Sequence, residues 1–431
     1  MKNQLLTLTF ILLAMSSAIA QSTHTVSQTG GRDFETIQEA VNAATSGDTI
    51  KIYAGNYVEQ ITLSKTIHLR ALENKEEVIL SGEIKFNTGS DGSSVLGFMI
   101  NKITFQTTSI EDVVLAINEI EQAFTTGRNT LLKSNIFNAT VSVYYNSIAK
   151  DNEGPGMTVS SSYAVNNILT SIITAYAGAV IYKNECSHIS VQGSNVNILA
   201  NTANYIRTES NCYEVKIIGN KLENPGSYGI SCRATNTATY GIVIANNLIQ
   251  NCAKGIEFQY GLNSINKPTI GAEVKNNVFY NIDLWLVANS YSFYNASSIV
   301  CTNNIGVNYG STAFALTGVS NDLHTHNLLF NGTEFTSGTG NINGQDPLFT
   351  DPANGDFSLR SGSPAINAGN PNFRFLDIDN TRNDMGIYGG PETWANYEGN
   401  DALIFNMLVG PSSVTEGEDI TIKATGMSSG Q

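Results

Sequence analysis

Charge is scarce in this chain: 14% of its residues are charged, and the basic ones, 23 against 37 acidic, are the scarcer sign. A net charge of −14 argues against nucleic acid and anionic membrane surfaces as partners, since like charge repels. An acidic polysaccharide would be repelled overall as well, so binding one requires a local basic patch or bridging cations. Cysteines number five, which is odd. Cys301 falls in an apolar column and Cys212, Cys232 and Cys252 recur out of step with the repeat described below, so no pairing is assigned. Beyond residue 20 no apolar run is long enough to span a membrane. Ser-His-Asp, phosphate-loop and nucleotide-binding motifs are missing. His324 and His326 would share one strand face as a metal pair does, but the repeat puts His326 at a turn and His324 inward, which suits structural histidines better.

What the chain does have is a repeat. Five times an Asn is followed four residues later by a second Asn across three mostly apolar residues: Asn220 to Asn224, Asn247 to Asn251, Asn277 to Asn281, Asn304 to Asn308 and Asn327 to Asn331. The first Asn residues lie 27, 30, 27 and 23 apart, the length of one solenoid coil. Three positions upstream stand Ile217, Ile244, Val274, Cys301 and His324, and five upstream Val215, Ile242, Ala272, Ile299 and Asp322. Two downstream stand Leu222, Ile249, Phe279, Gly306 and Leu329. A spacing of two is strand periodicity, and these columns are expected to face inward. Each first Asn is expected to end its strand through left-handed backbone and to stack on the next as a hydrogen-bonded ladder.

Less regular Asn-led turns at Asn135, Asn167 and Asn184 extend the pattern upstream, and after Asn331 it stops. The expectation is about ten coils of an all-β solenoid. A β-sandwich also accommodates short strands with Asn and Gly turns, but gives no reason for an Asn column at this period.

Residues 1–20 combine Lys2, the apolar run from Leu5 to Met15 and the small-residue site Ala18-Ile19-Ala20, and read as a secretory signal. No Cys follows directly, which argues against a lipid anchor, so the mature chain is expected to be exported, to the cell surface or beyond, as a monomer. Ile37, Ala40, Val41 and Ala44 share a helical face, placing a short amphipathic helix over residues 34–44 that would cover the open end of the first coil. The stretch from Asp33 through Ala71, DFETIQEAVNAATSGDTIKIYAGNYVEQITLSKTIHLRA, resembles the start of many right-handed parallel β-helix proteins of the pectin-lyase-like superfamily. That resemblance implies a right-handed parallel β-helix with a short N-terminal capping helix over residues 21–340, and no particular activity. The Gln-Asp and Asp-Phe-hydrophobic-Phe-Gly motifs of pectin methylesterases are absent, and Gln345-Asp346 stands in another context. The Asn-Thr-Asp and Arg-Ile-Lys motifs of polygalacturonases and the Trp-x-Asp-His motif of pectate lyases are absent too.

Residues 341–399 resemble the closing segment of bacterial secreted β-helix proteins, which implies packing over the last coil. Within it Asp377, Asp379, Asn380 and Asp384 suggest calcium less well than a plain turn network, because the Gly and terminal Glu of an EF-hand loop are missing. No metal or other cofactor is assigned. Residues 400–431 alternate like the first strands of an immunoglobulin-like module, or form a tail.

Chemistry is expected on the outer face of the coils. Ile206, Ile230, Ile256, Leu286 and Phe314 align as one inward column of a second strand, so odd offsets from them point outward. One position on stand Arg207, Ser231, Glu257 and Val287, and three on stand Glu209, Arg233, Gln259 and Asn289. Arg207, Glu209, Arg233, Glu257 and Gln259 would form a polar patch across three coils, with Trp285 as an aromatic platform at its edge. Ordinary cross-strand pairing of Arg and Glu is the competing account. Lysis of a uronate polymer would use Arg207 or Arg233 to stabilise a carboxylate, and hydrolysis would use Glu209 and Glu257 as the nearest carboxylate pair. The expectation is an extracellular protein meeting polysaccharide, lyase-like if an enzyme, with non-catalytic binding, adhesion or a structural surface role as the alternative.

Overall fold

The computed structural model describes residues 21–431 except 74–75, 210–211, 235–238, 261–269, 289–297, 317–320, 334–337, 399–401, 411–420 and 429–431, and gives only the backbone of several strand residues, 285–288 among them. The signal reading of residues 1–20 lies outside the described residues. The chain divides into two compact units, Met1–Leu131 and Leu132–Gln431.

In the first unit Thr23–Val26, Thr49–Ile52, His68–Ala71, Ser94–Leu96 and Val114–Ala116 pair in succession, all parallel. The next turn of each coil supplies a second parallel set through Gln60–Leu63, Val78–Phe86, Met99–Phe105 and Glu119–Ile120. The helix is Ile37–Ala43, shorter than the apolar face suggested. Phe34 bridges to Val26 instead of entering it, and Thr36 caps its start by accepting from the Glu39 N–H. The Glu59 carboxylate accepts from the N–H groups of Ile37 and Gln38, two donors that no helical carbonyl reaches. Ile37, Ala40 and Val41 are buried.

The second unit continues the same coil design. One parallel sheet runs Ile148–Lys150, Tyr163–Val165, Val180–Tyr182, Asn197–Leu199, Lys216–Ile218, Thr239–Ala245, Ile270–Lys275, Ser298–Thr302 and Asn321–Thr325. Another holds Glu185–Val191, Thr202–Thr208, Tyr228–Ala234, Lys254–Tyr260, Val278–Ala288 and Ile305–Leu316. Sequential parallel pairing rules out a sandwich, whose sheets are antiparallel. Crossovers between parallel strands coil right-handed, and the fold is a right-handed parallel β-helix.

The expected inward columns stack in register, with Ile217, Ile244, Val274 and Cys301 in one line and Leu222, Ile249, Phe279, Gly306 and Leu329 in another. The side chains of both are buried. The Asn ladder is longer than the repeat suggested, and it runs through Asn135, Asn152, Asn167, Asn184, Asn201, Asn220, Asn247, Asn277, Asn304, Asn327 and Asn341. Each backbone N–H donates to the side-chain oxygen of the Asn one coil on, at 2.9 to 3.0 Å. Three corrections follow. The stack has eleven rungs in this unit alone, more than the coils expected of the whole chain. The repeat also continues past Asn331 to Asn341. Finally, the left-handed residue is not the ladder Asn but the one before it: Lys183, Ala200, Asn246, Asn276, Asn303 and His326 all have φ between 52° and 61°. Asn serves the ladder because one side chain both accepts from the preceding rung and donates to the next.

The closing segment lies along the flank of the coils. Phe349, Phe357, Ala365, Met385 and Ile387 form one buried cluster with Leu248, Val278, Ile305 and Leu328, the residues that follow four successive rungs. Asn246 donates to the carbonyls of Ile387 and Gly389, and Asn276 donates to that of Asp384. Gly386, at φ 90°, donates its N–H to the Asn303 carbonyl at 2.8 Å. A side chain there would run into Ile305. The Asp377 carboxylate accepts from the N–H groups of Asp384 and Gly390, Asp379 from that of Thr381, and Asp384 from that of Asn367, which is a turn network. Beyond it Ala402–Gly410 and Thr421–Ser428 pair antiparallel.

Candidate functional site on the outer sheet face

The strand register brings the expected polar residues onto neighbouring coils. Ile206, Ile230, Ile256, Leu286 and Phe314 pair in sequence, so Arg207, Ser231 and Glu257 form one outward column and Glu209, Arg233 and Gln259 the next. Glu209 bridges the two arginines, its carboxylate oxygens 2.5 Å from Arg207 Nη2 and 3.5 Å from Arg233 Nη1. Arg233 Nε donates to Gln259 Oε1 at 3.2 Å. Gln259 Nε2 and Lys254 Nζ both donate to Glu257.

Outward does not mean exposed here. Glu257 is 2% exposed and Ser231 is fully buried; Lys254 and Gln259 fold onto the Glu257 carboxylate. Arg207 and Arg233 keep 30% and 41% of their side-chain surface in solvent. Both carboxylates are engaged by cations, Glu209 by the two arginines and Glu257 by Lys254. The Trp285 side chain and Asn289 lie outside the described residues, although Trp285 belongs to the neighbouring strand Val278–Ala288.

Four residues missed by the sequence reading complete the patch: His188, Tyr205, Tyr228 and Lys254. His188 pairs with Tyr205 across adjacent coils, and their rings stack at 4.5 Å with a 12° interplanar angle. Tyr228 meets Tyr205 edge-on at 5.3 Å. The signal was present, since Tyr205 and His188 precede the inward Ile206 and Ile189 just as Trp285 precedes Leu286. Gly229 and Gly255 at that offset interrupt the column.

The electrostatics separate the two rings. Burial, helped by the Arg207 charge, holds the His188 imidazole below its ordinary value. Burial and the neighbouring Tyr228 raise the Tyr205 phenol. Burial opposes the charge of Arg207, but Glu209 and Tyr228 outweigh it and keep the guanidinium firmly protonated. Arg207 Nε, Ser190 Oγ and Ser231 Oγ, on three adjacent coils, are buried with no hydrogen-bond partner. The face thus holds three cations against two carboxylates, a local excess of positive charge on an acidic chain.

No protein-family model matches this sequence, and no curated protein matches it. Among solved structures, the chain is similar to the PL6 family alginate lyase AlyGC, with a TM-score of 0.51 and 15% identity over 75% of this chain and 54% of that one. It therefore spans about half the length of that lyase. A PL6 family polysaccharide lyase from Pseudopedobacter saltans aligns at a TM-score of 0.39 and 14% identity, over 75% of this chain and 94% of that one. The catalytic domain of a GH87 alpha-1,3-glucanase aligns at 0.43 and 13%, over 73% and 68%. At 15% identity the likeness to AlyGC shows the fold alone, and the roles of residues have to come from their chemistry.

Proposed function

We propose that this is a secreted β-helix protein whose outer face, from His188 to Gln259, engages an acidic extracellular polysaccharide and cleaves it by β-elimination. The observation that carries this reading is the excess of cations, Arg207, Arg233 and Lys254, gathered beside a stacked His188–Tyr205 pair. Elimination from a uronate needs three things: neutralisation of the carboxylate so that the C5 proton becomes acidic, a base for that proton, and an acid for the departing oxygen. Arg207 and Arg233 supply the first. His188, held neutral, is suited to accept a proton, and Tyr205, held protonated, to give one. The name of one similar structure, an alginate lyase, fits this substrate class.

A second reading is non-catalytic binding. It is favoured by Glu209, which already pairs with both arginines and so lets them act as a plain recognition surface. The test incubates the mature protein with a panel of uronate polymers, alginate and pectate included, following unsaturated-product absorbance and gel retardation. Product is the expected result. Retardation without product assigns a binding module, and the absence of both on every polymer overturns the proposal.

A further inference from the structure

The column that contains Glu209, Arg233 and Gln259 does not stop at the charged face. Backbone hydrogen bonds carry it upstream coil by coil: Glu209 N–H donates to Val191 O, Gln192 N–H to Ala175 O, Tyr176 N–H to Val159 O and Ser160 N–H to Val143 O. Glu209 is therefore followed along the stack by Gln192, Tyr176, Ser160 and Tyr144. Tyrosines stand at every second coil, with a small serine between them, so a cleft of about 430 Å³ opens between the rings of Tyr144, Tyr145 and Tyr176 over Ser160, Ser161 and Gln192. Tyr145 and Tyr176 keep 42% and 37% of their surface in solvent. Tyr145 also sits at φ 59°, a left-handed backbone that a bulky aromatic adopts only at a cost. The fold accepts that cost and stands the ring at the mouth of the cleft, at 87° to Tyr144.

We infer that this tyrosine cleft is a set of sugar subsites continuing the charged face, and that the polysaccharide lies parallel to the coil stack. Aromatic rings flanked by hydroxyl and amide groups suit pyranose rings, whose faces are apolar and whose edges are polar. One sugar of an extended chain advances about as far as one coil rises, about 4.8 Å. Tyr176 lies two coils from Glu209 and Tyr144 four, so a chain held by Arg207 and Arg233 places its second and fourth neighbours at the rings. The cleft carries no charged lining residue, so it contributes stacking and length dependence while the arginines select the carboxylate.

This inference rests on the proposed polysaccharide function, and the experiment separates the two. Affinities of uronate disaccharide and hexasaccharide are measured for the parent, Tyr176→Ala, Tyr176→Phe, Tyr145→Ala and Arg207→Ala, with melting temperatures as the control for folding. Both Tyr→Ala variants are expected to weaken hexasaccharide binding about three- to tenfold while the disaccharide is unaffected. Tyr176→Phe should behave as the parent, and Arg207→Ala should weaken both ligands. If the Tyr→Ala variants bind hexasaccharide as tightly as the parent while Arg207→Ala does not, the subsites are refuted and the proposed function stands. Weakening by the Tyr→Ala variants alone keeps the cleft and removes the charged face. A parent that binds neither ligand overturns both.

Discussion

Replacing Asn247 by Ala removes one rung from the middle of the ladder, and its cost follows from the bonds it breaks. Asn247 Oδ1 accepts from both the backbone N–H and Nδ2 of Asn220, at 2.9 Å each. Its own Nδ2 donates to Ile217 O at 2.8 Å and to Asn277 Oδ1 at 2.9 Å. The backbone bond from Asn247 N–H to Asn277 survives, and Asn220 Nδ2 keeps the carbonyls of Ile198 and Ile218. The Asn220 N–H is left buried without its acceptor, and the Ile217 carbonyl loses a donor. Each unmade buried bond costs about 1 to 3 kcal/mol, so the variant should lose about 2 to 6 kcal/mol, measured by urea unfolding of the mature chain. Asn251→Ala is the control. That residue stands on the same coil, pairs with Glu223 and Asn281 at the surface and has φ 53°, so its loss should cost about 1 kcal/mol from the left-handed backbone. Asn247→Asp adds a sign test. A carboxylate still accepts from Asn220 but cannot donate, so the protonated form is the one the fold prefers and its pKa is raised. The deficit of this variant should therefore shrink as pH falls through that raised value and grow as pH rises. A loss below about 1 kcal/mol for Asn247→Ala, or one no larger than the control, would refute the ladder as a source of stability.

Phe279→Ala empties the largest position of the inward column between Ile249 and Gly306 and should cost about 3 to 5 kcal/mol, with a loss under about 1 kcal/mol contradicting its interior place. All five cysteines are buried thiols, and burial pushes Cys186 and Cys232 up to about 12 and Cys212 and Cys252 up to about 11, so a thiol reagent should react only after unfolding. Arg207→Ala and Arg233→Ala should each weaken binding of an anionic oligosaccharide with little change in melting temperature. Added salt should weaken the parent in the same way, because attraction between exposed charges is screened over about 8 to 10 Å. If His188 is the base, cleavage should rise with pH through a value below the ordinary imidazole pKa of about 6.5, and the acid limb should vanish in His188→Gln. A limb above that value would assign the base elsewhere.

The inward columns were legible because burial imposes a period of two on every coil, and the downstream coils are long enough for their Asn pairs to repeat recognisably. The upstream rungs were less legible for a geometric reason. Asn135, Asn152, Asn167, Asn184 and Asn201 are 17, 15, 17 and 17 residues apart, where the later rungs are 27 and 30 apart, so a single period cannot register both. The closing segment left a trace that went unread. Leu248, Val278, Ile305 and Leu328 point away from the interior and are nevertheless apolar, because Met385 and Ile387 cover them; Lys221, at the same place one coil earlier, is exposed. At the candidate site the offsets located Arg207, Glu209, Arg233, Glu257 and Gln259 on one face. They did not reveal that Glu257 is buried there, since side-chain length and lateral packing leave no mark on periodicity.

The change in coil length also bears on how the outward columns can vary. The ladder bonds hold at 2.9 to 3.0 Å whether 15 or 30 residues separate the rungs, so added residues are accommodated away from the ladder, with register shifts between Thr239 and Ile242 in one sheet and between Ile282 and Leu284 in the other. Each coil can then change the side chain it presents in an outward column while its neighbours stay fixed. From Tyr144 to Gln259 one such column reads Tyr, Ser, Tyr, Gln, Glu, Arg and Gln, one coil at a time. A polymer with a regular repeat can meet this surface as successive subsites only if the coil spacing is rigid. The buried Asn ladder, bonded through both backbone and side chain at every rung, fixes the coil spacing on which the proposed subsites depend.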